Sequence, residues 1–190
     1  AGGKTLAIAA ALGNRARVIA SDVDGRKLEE LKKRSRRAGV TCVQTALLDG
    51  AELPPPLAHV TGKADVVLVD APCSGIGALR RNPEAKWRLQ PSDIDALTKT
   101  QAEVLARAAQ LVRPGGRIVY ATCTVTRREN QAIVDACLRT QAGLRPVRLD
   151  QVWDAERAHR YGDGSTLQTL PHRHDTDGFF AAVLDKSATS

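Results

Sequence analysis

A chain of 190 residues, 43% of them hydrophobic, can bury a real core as one domain and is not a disordered segment. A formal charge of +7, with 28 basic against 21 acidic residues, favours a polyanionic partner such as a nucleic acid. No apolar run approaches the ~20 residues of a membrane span, and the four cysteines (Cys42, Cys73, Cys123, Cys137) contain no C-x-x-C pair, which argues against a zinc or other metal site.

The opening AGGKT (residues 1–5) admits two readings. It fits the end of a phosphate-gripping loop, or the tail of the glycine turn by which a Rossmann-like fold approaches a nucleoside cofactor. A helix is predicted over 4–12, stopped by Gly13-Asn14, and a short strand ends at Asp22. A charged helix over 25–38, closed by Gly39, precedes a β-leaning run over 40–48 and a Pro-rich loop at 53–56. The apolar run ADVVLVD (64–70) reads as a strand buried on both faces of a sheet. Residues 71–91 form a long irregular stretch of the kind that carries function.

Ser92 is expected to cap a helix running to about Val112, terminated by Pro114-Gly115-Gly116, with a strand over 117–122. Thr126-Arg127-Arg128-Glu129 has the spacing of a capping box opening a helix to about Thr140. Further strands are expected at 144–149 and 178–185. Alternating strands and helices predict an α/β class with a mostly parallel sheet and no internal repeat. A glycine turn should follow a strand and none precedes this one. The chain has no Met at all, so it is read as a piece of a longer protein lacking its amino-terminal part and first strand.

Asp22 stands ~20 residues beyond the glycine turn, where an acidic side chain accepts from a ribose hydroxyl pair. Helix capping is its other reading, for which Asp24 is better placed. Asp49 is suited to an adenine amino group, although turn chemistry alone would explain an Asp-Gly pair. Asp70 ends the third strand run, and as a magnesium-holding carboxylate it would also serve a P-loop nucleotide hydrolase.

Pro72 fixes the chain direction and sets Cys73 just past that strand's carboxyl end, the rim where open α/β sheets bind ligands. Cys123 occupies the matching place after the strand 117–122. A single helix joins the two strands, so they are expected to be neighbours. Two thiols and a carboxylate then converge, whereas Cys42 and Cys137 read as packing residues. A thiolate added at carbon 6 of a pyrimidine makes carbon 5 nucleophilic, and a second group must then help the first thiol leave. Arg80, Arg81, Lys86 and Arg88 surround Trp87, a composition that suits phosphate contacts and base stacking. The basic run 26–37 alternates with Glu29 and Glu30 and reads as a solvated face.

With these residues in hand the chain resembles the RNA cytosine-5 methyltransferases, in particular the bacterial 16S ribosomal RNA branch known as the Sun family. The matching stretches are GGKT (2–5), the Asp22 strand end, DAPCSG (70–75), RRNPEAKW (80–87), PGG (114–116), YATC (120–123), REN (128–130) and DGFF (177–180). The resemblance implies a Rossmann-like, S-adenosylmethionine-dependent methyltransferase fold with helices on both sheet faces, the whole chain being one truncated catalytic domain without a separate RNA-binding domain. It implies that Ala1, Gly2, Gly3 and Lys4 form the cofactor loop, that Asp22 meets the ribose and Asp49 the adenine, and that Asp70 lies beside cofactor and base. Cys123 would be the nucleophile and Cys73 the release group. Arg80, Arg81, Lys86 and Trp87 would meet RNA, ribosomal in branches of this kind, in the cytoplasm. An RNA-binding module without catalysis is the other expectation kept open.

Overall fold

The structure, a computed structural model, describes residues 2–50, 52–162 and 164–188. Its strands fall into two sheets, one in each of two units, Ala1–Thr61 and Gly62–Ser190.

In the first unit the glycine turn leads into α1 (Gly3–Ala11). Gly2 has φ 83°, and a Cβ there would stand 2.5 Å from Leu31 Cδ1, so both backbone and packing demand glycine. Strand β1 (Val18–Asp22) is followed by α2 (Gly25–Arg37), which Asp24 caps by accepting from the Arg26 amide. α2 buries Leu28 and Leu31 and leaves Arg26, Lys27, Lys32, Lys33, Arg36 and Arg37 exposed, the solvated face expected of it. Strand β2 (Val43–Leu47) pairs in parallel with β1, from Val18↔Val43 to Asp22↔Leu47. The proline run starts a single helical turn, α3 (Pro55–Ala58).

The second unit begins with β3 (Ala64–Asp70), followed by a short helix α4 (Ala85–Arg88) and the long α5 (Pro91–Leu111). α5 is capped by Gln90, reciprocally with Asp93, and not by Ser92, because Pro91 takes the first helical position. Strand β4 starts at Val112, inside the expected helix, and runs to Thr122. Its Pro114-Gly115-Gly116 forms a bulge in the parallel β3–β4 ladder, after which the register holds from Val66↔Arg117 to Asp70↔Ala121. α6 (Gln131–Thr140), β5 (Leu144–Pro146), α7 (Ala155–Tyr161), β6 (Thr166–Thr169), α8 (Pro171–His174) and β7 (Phe179–Lys186) complete the unit.

β7 lies antiparallel to β4, with β5 and β6 both on its other edge. The α/β class therefore holds, but the sheet is mixed. Between β6 and β7 stands only α8, too short for the crossover a parallel connection needs. The pair Arg117↔Asp185 holds the antiparallel register, Arg117 Nε and Nη2 donating to the Asp185 carboxylate at 2.7 and 3.0 Å.

α5 and α6 pack on one face of this sheet. Leu105, Ala108, Ala109, Ile133, Val134 and Cys137 meet Val69, Ile118, Tyr120, Phe180, Ala182 and Leu184 there. Cys137 is thus a packing residue. The opposite face of β3 is open: Val66 is 60% and Leu68 38% exposed, so the apolar run is buried on one face and not on two. Among the described residues, no helix is long and apolar enough to cross a membrane. Leu105 is wholly buried between α5 and the sheet. Leu105→Ala should destabilise the fold by about 2–5 kcal/mol, read as a lowered urea midpoint at unchanged m-value.

Candidate active site

The parallel pairing of β3 and β4 brings Asp70 opposite Ala121, and the Ala71 amide continues the ladder to the Ala121 carbonyl at 2.9 Å. Both chains then leave the sheet at the same edge. Cys73 Sγ lies 3.3 Å from Cys123 Sγ, both residues half-buried. The segment after Cys73 folds back over Cys123: Gly77 N–H donates to the Cys123 carbonyl at 3.0 Å, and the Gly178 amide donates to the Gly77 carbonyl at 2.8 Å. A Cβ on Gly77 would collide with the Gly178 carbonyl and stand 2.8 Å from that of Cys123, so this crossing requires glycine.

Behind the thiols lies a buried polar cluster that sequence reasoning assigned otherwise. Glu129 is not a helix cap; α6 starts two residues later, with Asn130 at its N-cap position. The Glu129 carboxylate instead accepts from Ser74 N–H (2.7 Å) and from the hydroxyls of Ser74 (2.6 Å), Thr126 (2.7 Å) and Thr124 (3.0 Å). Gln101 Nε2 donates to Glu129 at 3.2 Å and to the Pro72 carbonyl at 2.8 Å. Tyr120 OH donates to the Glu129 carbonyl at 2.7 Å. Thr122 Oγ1 donates to Asn130 Oδ1 at 2.6 Å, and Asn130 Nδ2 donates to the Thr124 carbonyl at 3.0 Å. Ser74, Gln101, Thr124, Glu129 and Asn130 were missed because only the packing of α5 and α6 makes these polar groups internal. The available signals were the Thr126-x-x-Glu129 spacing, which local rules read as a cap, and the presence of Ser74, Glu129 and Asn130 in the stretches DAPCSG and REN.

The electrostatics follow from these contacts. The hydrogen bond with Cys123, and after it burial, push the Cys73 thiol far above the ordinary thiol range. Cys73 therefore keeps its proton, and either sulfur can be the donor in their contact. Burial on its own would raise the Glu129 carboxyl. The hydrogen bonds from Ser74, Thr126 and Thr124 outweigh it and hold the group below the usual carboxylate range. Burial, then the nearby Cys73 and Glu129, push the Tyr120 phenol up, so it remains a donor.

Asp70 is exposed at the tip of β3. In the basic loop Arg81 is already paired with the buried carboxylate of Asp177, which ties that loop to the β7 approach. Arg80 lies 3.7 Å from exposed Asp175, and Arg88 is bonded to Glu84 at 3.0 Å. Trp87 is 79% exposed with Lys86 Nζ 5.1 Å from its ring centre, so the two present an open cation–aromatic surface.

In the first unit, Asp22 ends β1 with Oδ1 accepting from the Asp24 amide at 2.9 Å and Oδ2 3.7 Å from Lys27 Nζ. Asp49 lines a cavity of about 420 Å³ with Thr45, Leu47, Glu52 and Pro54–Pro56. Gly2 and Gly3 open α1, and a Cβ on Gly3 would meet nothing within 4 Å. Ala1, expected in the cofactor loop, lies outside the described residues.

The family model described as 16S rRNA methyltransferase RsmB/F matches residues 1–185. The ribosomal RNA small subunit methyltransferase F of Erwinia tasmaniensis is 36% identical over 190 residues, 99% of this chain and 39% of that protein. The 28S rRNA (cytosine-C(5))-methyltransferase of Mus musculus is 34% identical over 199 residues, 100% of this chain and 25% of that protein. The crystal structure of NSun6 from Pyrococcus horikoshii with SFG superposes with a TM-score of 0.81 at 29% identity, covering 100% of this chain and 46% of that one. The chain thus spans less than half the length of each of these relatives.

Because the Glu129 carboxyl titrates below its unfolded value, it contributes stability that is fully present above the ordinary glutamate pKa and is lost as pH falls through the depressed folded value. Glu129→Gln should flatten the acid limb of a stability–pH profile measured by urea unfolding. An acid limb as steep as that of the wild type would contradict this assignment.

Proposed function

The chain belongs to the 16S rRNA methyltransferase RsmB/F family, and from that premise we propose that it transfers a methyl group from S-adenosylmethionine to carbon 5 of a cytosine in small-subunit ribosomal RNA. The observation that carries this reading is the contact of two thiols at adjoining parallel strand tips. The relatives are named for rRNA methylation, one of them for cytosine carbon 5. Both units are taken as parts of one catalytic module, a reading supported by the span of the family match.

The residues present fit a nucleoside cofactor. The cavity beside Asp49 has apolar walls and two carboxylates, Asp49 and Glu52, suited to a flat base with an exocyclic amine. Asp22 ends a strand where a ribose diol would be held, and the left-handed turn at Gly2 and the open backbone of Gly3, with Lys4, would receive the cofactor's amino-acid end. Asp70 is assigned to the edge shared by cofactor and base. SFG, held by the NSun6 relative, is an analogue of S-adenosylmethionine. When bound, S-adenosylmethionine supplies an electrophilic methyl.

The chain's own residues do the rest. Cys123 Sγ, as thiolate, bonds to carbon 6 of the cytosine, and the electron pair of the 5,6 double bond moves to carbon 5. Asp70 holds the ring through its N3 side. Carbon 5 takes the methyl and must then lose its proton. Cys73 holds its own proton first because of its hydrogen bond with Cys123, and that cause ends once the Cys123 sulfur is bonded to carbon. Cys73 then gives up its own proton to solvent and, as thiolate, is the base that takes the carbon-5 proton; the 5,6 double bond reforms and the Cys123–carbon 6 bond breaks, its electron pair returning to the Cys123 sulfur.

Trp87 and Lys86 offer a stacking face and a cation to single-stranded RNA, with Arg80 beside them. Arg81 serves the same surface while anchored on Asp177. Chemistry that needs two reduced thiols suits a cytoplasmic enzyme. A P-loop hydrolase or a non-catalytic RNA module would leave the thiol pair idle, and no observation favours either.

With the full chain, radiolabelled methyl donor and ribosomal RNA, Cys123→Ser should lower the rate by ~10³-fold or more; methylation at the wild-type rate would overturn the nucleophile assignment. Cys73→Ala should accumulate a covalent protein–RNA band on denaturing gels. Normal turnover without that band would remove Cys73 from the release step.

A further inference from the structure

Glu129 touches both loops that carry the thiols. It is fully buried, and its two oxygens are used differently. Oε1 accepts from two N–H groups, Ser74 N and Gln101 Nε2, while Oε2 accepts from three hydroxyls, those of Ser74, Thr124 and Thr126. Ser74 directly follows Cys73 and Thr124 directly follows Cys123. The hydroxyls of Ser74 and Thr124 also meet each other at 3.0 Å, and Gln101 carries the cluster on to the carbonyl of Pro72, the residue before Cys73. The backbone around both sulfurs is thereby gathered on one carboxylate.

A buried charge is costly, and a hydrocarbon side chain of the same size would fill the space without that cost. A carboxylate can do what a hydrocarbon cannot: accept hydrogen bonds from two loops at once with no donor of its own to misplace.

We propose that Glu129 is a positioning residue for methyl transfer: its carboxylate sets the separation and direction of the Cys73 and Cys123 sulfurs so that both reach one pyrimidine ring. This rests on the methyltransferase reading above. The N–H donors on Oε1 cannot become acceptors, but the hydroxyls on Oε2 can turn round. Glu129→Gln, with its amide oxygen at the Oε1 place and its NH₂ facing the hydroxyls, therefore keeps the clamp. Glu129→Ala strands the Ser74 amide, and Glu129→Asp keeps the charge but cannot span both loops.

The test measures two quantities on the full chain. One is kcat and KM for ribosomal RNA; the other is crosslinking of Cys73 to Cys123 by the short bifunctional thiol reagent dibromobimane, without RNA or methyl donor, followed by peptide mass spectrometry. Glu129→Ala is expected to lose ~10²-fold in kcat with little change in KM, the cost of a misplacement of about 1 Å, and to lose crosslinking in parallel. Glu129→Gln is expected to stay near wild type in both. A folded alanine variant with wild-type kcat and crosslinking overturns the proposal, as does an equal kcat loss in Gln and Ala with crosslinking intact. Where alanine fails to fold, the aspartate variant is read by the same criteria. Crosslinking needs no methyl transfer, so a wild type that crosslinks in a Glu129-dependent way yet never methylates sinks the methyltransferase reading and upholds the clamp. Glu129-independent crosslinking in an active enzyme sinks the clamp alone.

Discussion

Two sulfurs can act on the same ring only if the chains bearing them leave the sheet side by side, and the parallel ladder of β3 on β4 supplies that constraint. Its register sets Asp70 against Ala121 at the strand ends. From there the two loops climb over the sheet edge together until Cys73 and Cys123 meet at 3.3 Å. α5 makes the arrangement possible in two ways. It returns the chain so that β4 runs parallel to β3, and its Gln101 reaches up from the core to the Pro72 carbonyl.

The polar cluster beneath the thiols shows how a core can serve specificity. Tyr120, Thr122, Glu129 and Asn130 are all internal, and hydrogen bonds link Tyr120 to Glu129 and Thr122 to Asn130. Such a network has a narrow set of satisfied geometries, because each displaced donor or acceptor loses its partner in a place water does not reach. The apolar part of the same core, from Leu105 to Leu184, is more tolerant in shape and supplies the bulk of the burial. Stability and geometry are thus drawn from different residues on the same sheet face.

The two thiols are coupled through their contact. Cys73 keeps its proton chiefly because Cys123 is beside it, so the state of one sulfur governs the readiness of the other. The carboxylate of Glu129 lies close enough to Tyr120 to affect its phenol, so the whole cluster shares one electrostatic environment.

Much of the architecture was legible in the chain itself. Periodicity and glycine punctuation located α1, β1, α2, β3 and β7 to within a residue or two, because these elements follow local rules of capping and apolar spacing. The paired thiols were legible as well, since a Pro-Cys and a Thr-Cys after strands joined by one helix imply a common edge. The order of motifs pointed to the family. Other features needed the folded molecule. Antiparallel addition of β7, the open face at Val66 and Leu68, and the engagement of Arg81 by Asp177 depend on partners distant in sequence. Glu129 is the clearest case. Spacing alone made it a helix cap, because local rules weigh only near neighbours. Tertiary packing buried it, and a buried carboxylate must take the donors that reach it, here Ser74 and Gln101 as well as its own neighbours Thr124 and Thr126.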